Sequence, residues 1–401
     1  MKKILLLSGL LILGLIVSQL YPGLVGDSYE TWRFTIQSLT LVCLSFIMIH
    51  VGYEFDLDKS NMGQYGWDYV VAMTAAAFPW IMCALYFMLI LPQMGGIGNV
   101  DEWKNSLLLS RFAAPTSAGV LFTMLAAAGL ATTWVFKKAR ILAIFDDIDT
   151  VLLMIPLKML MVGLKWQLGI IVLVMVAMLW LAWRFLHVCR IPLSWPWVLT
   201  YSVLIVAACS GVYEGSKVID SSVPIHLEVL LPAFVLGCMI ARPKGADGHD
   251  VLHEPSKAEV TANLVISSAF MVLVGLMMPP LQQALGSTGA SLASLPWGTI
   301  GLHVLAITVL SNLGKMFPAF CYRREAHWKA RLGVAIGMWP RGEVGAGVLV
   351  ISLSYGISGQ PLIVAMLSLA LNLMLTGVFI AIVKKLLSDP KALEVPARVA
   401  A

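Results

Sequence analysis

Asp146, Asp147 and Asp149 interrupt a run from Ala139 to Leu164 that is otherwise apolar apart from a few residues. A segment of that length can cross a bilayer, and each carboxylate at its centre costs roughly 2.5–3.5 kcal/mol on insertion scales. Ionisable groups held at such a cost read by default as an ion or substrate pathway. Asp146 and Asp147 are adjacent, so on a helix they project about 100° apart. One can face a partner such as Lys315 while the other faces an aqueous cavity. Asp149 lies three residues beyond Asp146, on the same side. Close carboxylates in a medium of low dielectric resist being ionised together, and a nearby ammonium relieves one of them. A site of this kind holds a proton or a small cation but is poorly suited to both, which is the chemistry of exchange.

Other charges fall inside apolar runs at similar depth. Asp147 is nine residues past Lys138, Lys315 eight before Arg323 and Arg341 ten past Arg331. At about 1.5 Å per residue these are roughly 14, 12 and 15 Å from the basic ends, near the middle of a hydrocarbon layer about 30 Å thick. Two runs also look broken. In SRFAAPTSAGVL, Pro115 precedes Thr116 and Ser117; in IGMWPRGEVGAG, Pro340 precedes Arg341 and Glu343. Each proline removes an intrahelical hydrogen bond, and small neighbours let the chain unwind. Matched breaks in two halves of a chain point to a transporter's binding site, with half-helix ends aimed at the midplane.

The elements that must position these residues are membrane helices. The chain has 401 residues, a mean hydropathy of +0.86, 59% hydrophobic residues and 12% charged ones. A soluble domain would carry about a quarter charged residues. Continuous apolar runs, rather than alternating ones, exclude a β-barrel. The sequence predicts an all-α polytopic membrane protein of about 12 transmembrane helices. Their spans lie near 4–20, 35–52, 69–91, 106–128, 138–162, 166–187, 195–213, 226–241, 260–279, 297–321, 331–353 and 361–386. The basic, apolar start reads as a retained first helix rather than a cleaved signal.

The net charge of +5 does not indicate nucleic acid, because Lys and Arg cluster at alternate loops. Lys2, Lys3, Lys59, Lys137, Lys138, Arg140, Arg184, Arg190, Arg242, Lys244, Lys257, Arg323, Arg324, Lys329, Arg331, Lys384 and Lys385 fall at one set of ends. Only Arg33, Lys104, Lys165 and Lys217 fall at the other. The richer side is predicted cytoplasmic, with both termini inside. Lys158 and Arg111 are expected to snorkel to the outer interface. His50, His226 and His303 are expected as packing or helix-end residues, and Glu54, Asp56 and Asp58 as a cytoplasmic cap. The six cysteines lack metal-ligand spacing and read as small apolar packing residues.

These residues resemble the cation/proton antiporter superfamily. ILAIFDDID looks like its paired-acid helix, GMWPRGEVGAGVLVISLSYGIS like its P-R-G-E helix, and SLTLVCLSFIMIHVGYEFDLDKS is similar to its second helix. SNLGKMFPA places Lys315 where sodium/proton antiporters carry the lysine that pairs with the first acid. The resemblance implies two inverted five-helix repeats with crossed, unwound helices. It implies a mobile ion-transport core at 69–162 and 297–390, an interface domain at 1–68 and 163–296 in a homodimer, and a short cytoplasmic tail at 391–401. Carried onto this chain, Asp147 alternately binds cation and proton, Asp146 is its neighbour held by Lys315, and Thr116 and Ser117 lie at the first crossing. Arg341 and Glu343 become structural or gating charges, and Asp149 is an additional acid without an assigned role. AAPTSAG departs from the Thr-Asp-Pro form of many members, and no nucleotide-binding domain follows Lys385 within this sequence.

The expected function is monovalent cation/proton antiport by alternating access, without a cofactor. The transported ions are H+ and Na+ or Li+, with K+ as the open alternative, and the setting is a cell inner membrane, serving pH homeostasis. The resemblance associates an Asp146–Lys315 pair with electrogenic exchange of two protons per cation. A sodium-coupled organic-anion symporter shares the broken-helix logic but needs a larger, anion-facing pocket. A non-transporting sensor would show no flux for any cation. An intramembrane aspartyl protease requires its acids on separate helices with a Gly-Asp inside a span, whereas the only Gly-Asp here, Gly26–Asp27, falls in a predicted loop.

Overall fold

The computed structural model describes residues 2–55, 62–91, 99–163, 165–220, 225, 227–243, 256–285 and 295–389. Asp56, Asp58, Lys59, His226, Lys244 and the tail at 391–401 lie outside them. The described residues are helical and contain no named strand. The helices are α1 (Lys2–Val25), α2 (Tyr29–Tyr53), α3 (Met62–Ile90), α4 (Val100–Ser110), α5 (Ala118–Ala127), α6 (Trp134–Val162), α7 (Trp166–Arg184) and α8 (Trp195–Ile219). They continue with α9 (Leu230–Met239), α10 (Lys257–Leu276), α11 (Leu281–Ala284), α12 (Trp297–Gly314), α13 (Pro318–Cys321), α14 (Trp328–Gly337), α15 (Glu343–Ser354) and α16 (Gln360–Leu387).

Each predicted span falls on one or more of these helices. Nine segments among the described residues are long and apolar enough to cross a membrane. The other three predicted spans are the acid-bearing α6, the short α9 and the divided pair α14 and α15. Length and hydropathy therefore do not by themselves fix the count at twelve. Large apolar side chains stay exposed along the long helices, such as Leu5, Leu173 and Leu302. Helices with this all-round apolar character satisfy their backbone internally and meet lipid with their side chains.

Local chemistry starts the helices. Asn99 caps α4 by accepting the Asp101 N–H at 3.0 Å, and Asp101 and Glu102 sit at its positive end. Ser256 and Glu259 form a reciprocal capping box at α10, with bonds of 2.7 and 3.2 Å.

The chain divides into two compact units. Unit 1 comprises Met1–Glu30, Met62–Leu157 and Met271–Ala401, and unit 2 comprises Thr31–Asn61 and Lys158–Phe270. Inside unit 1, α12 packs on α3 and α16, α14 on α16 and α1 on α16. Inside unit 2, α9 packs on α7 and α8. There α2 and α9 cross at glycines: a Cβ on Gly52 would lie 2.2 Å from the Phe234 carbonyl oxygen, and one on Gly237 2.2 Å from that of Ile49. The obstacles are backbone atoms, so the helices must separate to admit a methyl group. Gly237→Ala is expected to lower the melting temperature of the detergent-solubilised protein, for a loss of about 1–3 kcal/mol.

Two sequence expectations are corrected. Lys138 and Arg140, expected as loop-end charges, are both buried in the first turns of α6. Lys138 Nζ meets both Asp68 oxygens at 3.1 Å and Glu325 Oε2 at 2.9 Å, and it lies 4.5 Å above the Tyr322 ring. Arg111, expected to snorkel outward, is instead buried and donates from Nη2 to the Thr150 carbonyl at 3.1 Å. In both cases a partner inside unit 1 replaces water as the charge's solvent.

Candidate functional site

Both predicted breaks are present. The first span runs as α4, passes through a 3-10 turn at Arg111–Ala113 and bends at Ala114. It has no helical form at Pro115, Thr116 and Ser117, then resumes as α5. The second span runs as α14, unwinds from Met338 to Gly342 and resumes as α15. The two gaps touch. The Ser117 N–H donates to the Pro340 carbonyl at 2.9 Å, and Thr116 Oγ1 donates to that of Met338 at 3.0 Å. Thr116 and Ser117 thus satisfy carbonyls that the unwound second span leaves open.

Charges of opposite sign face the cut helix ends. Asp146 Oδ2 accepts the Thr116 N–H at 2.7 Å, just ahead of α5. Glu343 opens α15, and its Oε2 accepts the Ser117 hydroxyl at 2.6 Å. Both carboxylates therefore lie at positive helix ends. The cations lie at negative ends. Lys315 caps the C-terminus of α12. Arg341 donates from Nε to the Ala113 carbonyl at 3.0 Å and from Nη2 to that of Ser311 at 2.9 Å. Another bond runs from its Nη1 to the Trp339 carbonyl at 3.3 Å.

Lys315 and Asp146 are both 0% exposed. Lys315 Nζ donates to Asp146 Oδ1 and Oδ2 at 3.1 and 2.9 Å and to Thr116 Oγ1 at 2.9 Å. These bonds tie α12, α6 and the first gap together. The position of Lys315 is set by contact of α12 with α3: a Cβ on Gly314 would lie 2.6 Å from the Pro79 nitrogen. Gly314→Ala is expected to push the end of α12 outward and to weaken exchange more than protein yield, read by transport assay against expression level.

Asp147 is also buried, at 8% exposure. Its carbonyl accepts the Thr150 hydroxyl at 2.8 Å. Asp149 is 1% exposed, and Tyr69 of α3 faces it. That approach does not close a hydrogen bond of full geometry to either Asp149 oxygen. The structure therefore gathers Asp146, Lys315, Thr116, Ser117, Arg341 and Glu343 at the two gaps, with Asp147 and Asp149 on the adjoining turn of α6.

Residues 2–385 match the family described as sodium/hydrogen exchanger, transmembrane. The chain belongs to the sodium/hydrogen exchanger family. It is accordingly a transmembrane cation/proton antiporter and not an enzyme. A search of curated proteins returned no match. Among solved structures, the fold is similar to that of the sodium proton antiporter MjNhaP1 from Methanocaldococcus jannaschii at pH 8. The TM-score is 0.56 at 15% identity, covering 93% of this chain and 92% of that one.

Sequence reasoning about the exchanger missed Asn312 and Asn372. Both are buried in apolar helices and hydrogen-bond to Arg341. The signal that could have found Asn312 is an amide three residues before Lys315, on the same helix face. Asp68 was missed as well, because it falls at the edge of a predicted span and resembles a loop residue.

Proposed function

We propose that this exchanger moves Na+ or Li+ against H+ by alternating access, with Asp147 binding either the cation or the proton. The observation that carries the reading is the buried Lys315–Asp146 pair at the contact of the two gaps. Asp146 is committed to Lys315 and Thr116, so Asp147 is the member of the acid pair assigned to the transported ion. Thr116 and Ser117, at the contact of the two gaps, are the further proposed ion-site residues. Arg341 and Glu343 hold the cut helix ends, and Asp149 is a further candidate in the site.

The proposed mobile body is 69–162 and 297–390; it falls in unit 1 except for 158–162 and contains every one of these residues. The proposed holding and dimer-forming part is 1–68 and 163–296, which takes in nearly all of unit 2 together with α1. The charge bias of the loops supports an inner-membrane orientation with both termini cytoplasmic. Two protons per cation is the proposed stoichiometry, making the cycle electrogenic.

Proteoliposomes carrying an imposed pH gradient test the reading. Adding Na+ or Li+ is expected to collapse the gradient, and K+ to leave it standing. A gradient indifferent to all three cations overturns the assignment. Sodium-dependent uptake of an organic anion without proton movement would move it to a symporter.

A further inference from the structure

We propose that Asn312 and Asn372 are positioning residues that keep Lys315 on Asp146 and away from the cation at Asp147. This rests on the assignment of Asp147 made above.

The three side chains Arg341, Asn312 and Asn372 close a ring inside unit 1. Arg341 Nη1 donates to Asn312 Oδ1 at 2.8 Å. Asn372 Nδ2 donates to the same oxygen at 2.9 Å. The Arg341 backbone N–H donates to Asn372 Oδ1 at 3.2 Å. The orientation of both amides follows. Turning Asn372 over would set its NH2 group against the Arg341 N–H and its oxygen against that of Asn312. Turning Asn312 over would set its NH2 against two donors. Asn312 Oδ1 uses both its lone pairs, so no further donor fits there.

Asn312 is the link to the ion site. Its side chain is held by Arg341, and its carbonyl accepts the Lys315 N–H at 3.1 Å. The turn that carries the Lys315 ammonium is thereby registered on the second gap. Asp146 and Asp147 are consecutive, so a displacement of that turn toward Asp147 would bring the ammonium onto the cation's proposed ligand. A cation would then meet a like charge at its own ligand, and binding would weaken. All members of the ring lie within unit 1, so their loss changes occupancy of the site more than movement of the unit.

The test measures exchange in proteoliposomes as a function of Na+ concentration. Asn312→Leu is expected to raise the half-saturating Na+ concentration about tenfold, with the maximal rate changed less than about twofold. Asn312→Asp retains the oxygen that accepts both bonds and is expected to stay within about threefold of the parent protein. A folded Asn312→Leu protein with an unaltered half-saturating concentration overturns the proposal. So does an Asn312→Asp protein as impaired as the leucine variant. If Asn312→Leu does not fold, Asn372→Leu serves instead. It is expected to raise the half-saturating concentration about threefold, and no rise overturns the proposal. Asp147→Asn in the same assay separates the two ideas. Retained exchange there removes the ion-site assignment itself, whereas lost exchange with unaffected asparagine variants removes only the positioning role.

Discussion

Asp147→Asn is expected to reduce exchange at least about 100-fold, equivalent to about 2.7 kcal/mol of lost driving interaction. The side chain is buried on α6 beside a neighbour already held by Lys315 and Thr116. Asparagine keeps the volume and one oxygen. It cannot supply the negative charge that a desolvated cation requires, nor carry the exchanged proton. The variant is expected to fold, because the Asp146–Lys315 pair remains intact. Binding separates the two effects: a transported cation stabilises the protein that holds it by RT ln(1 + [L]/Kd). Na+ should therefore raise the melting temperature of the parent protein and leave that of the variant unchanged. A variant that still gains stability from Na+ and still exchanges would remove Asp147 from the mechanism.

Lys315→Met carries the second large effect, on stability. It leaves Asp146 buried with one backbone donor, Thr116 N–H, and no ammonium. Removing one partner of a buried pair typically costs about 3–5 kcal/mol, because the remaining charge is uncompensated. The double variant Asp146→Asn with Lys315→Met removes both charges and is expected to recover most of that loss, read by thermal unfolding in detergent. The same double variant probes stoichiometry. If the pair accounts for the second proton, the reversal potential of the variant in proteoliposomes moves to that of one proton per cation. A potential still matching two would sink the link between this pair and electrogenic exchange.

Much of the site is legible in the residues alone. Pro115 and Pro340 mark the gaps because a missing N–H and small neighbours act locally. Asp146, Asp147 and Lys315 stand out because a charge in an apolar run is costly wherever it points. Asn312 and Asn372 do not stand out, since an amide raises no comparable penalty and its importance comes from the partner it meets. Lys138 escapes sequence reasoning for a related reason. A lysine at a helix start is ordinarily solvated, and only the arrival of Asp68 and Glu325 from elsewhere in the chain makes burial tolerable.

The sequence by itself determined that the chain crosses a membrane as helices, that two of them are interrupted, and that acids and a lysine lie at similar depth. These properties follow from hydropathy, proline and rise per residue, all of which are local. The tertiary structure alone decided which oxygen each charge meets. The Arg341–Ala113 bond joins residues 228 apart in the chain, and the Lys315–Asp146 bond joins residues 169 apart. Contacts at that separation depend on how helices cross, and crossing depends on shape features such as Gly314 against Pro79 that no periodicity encodes.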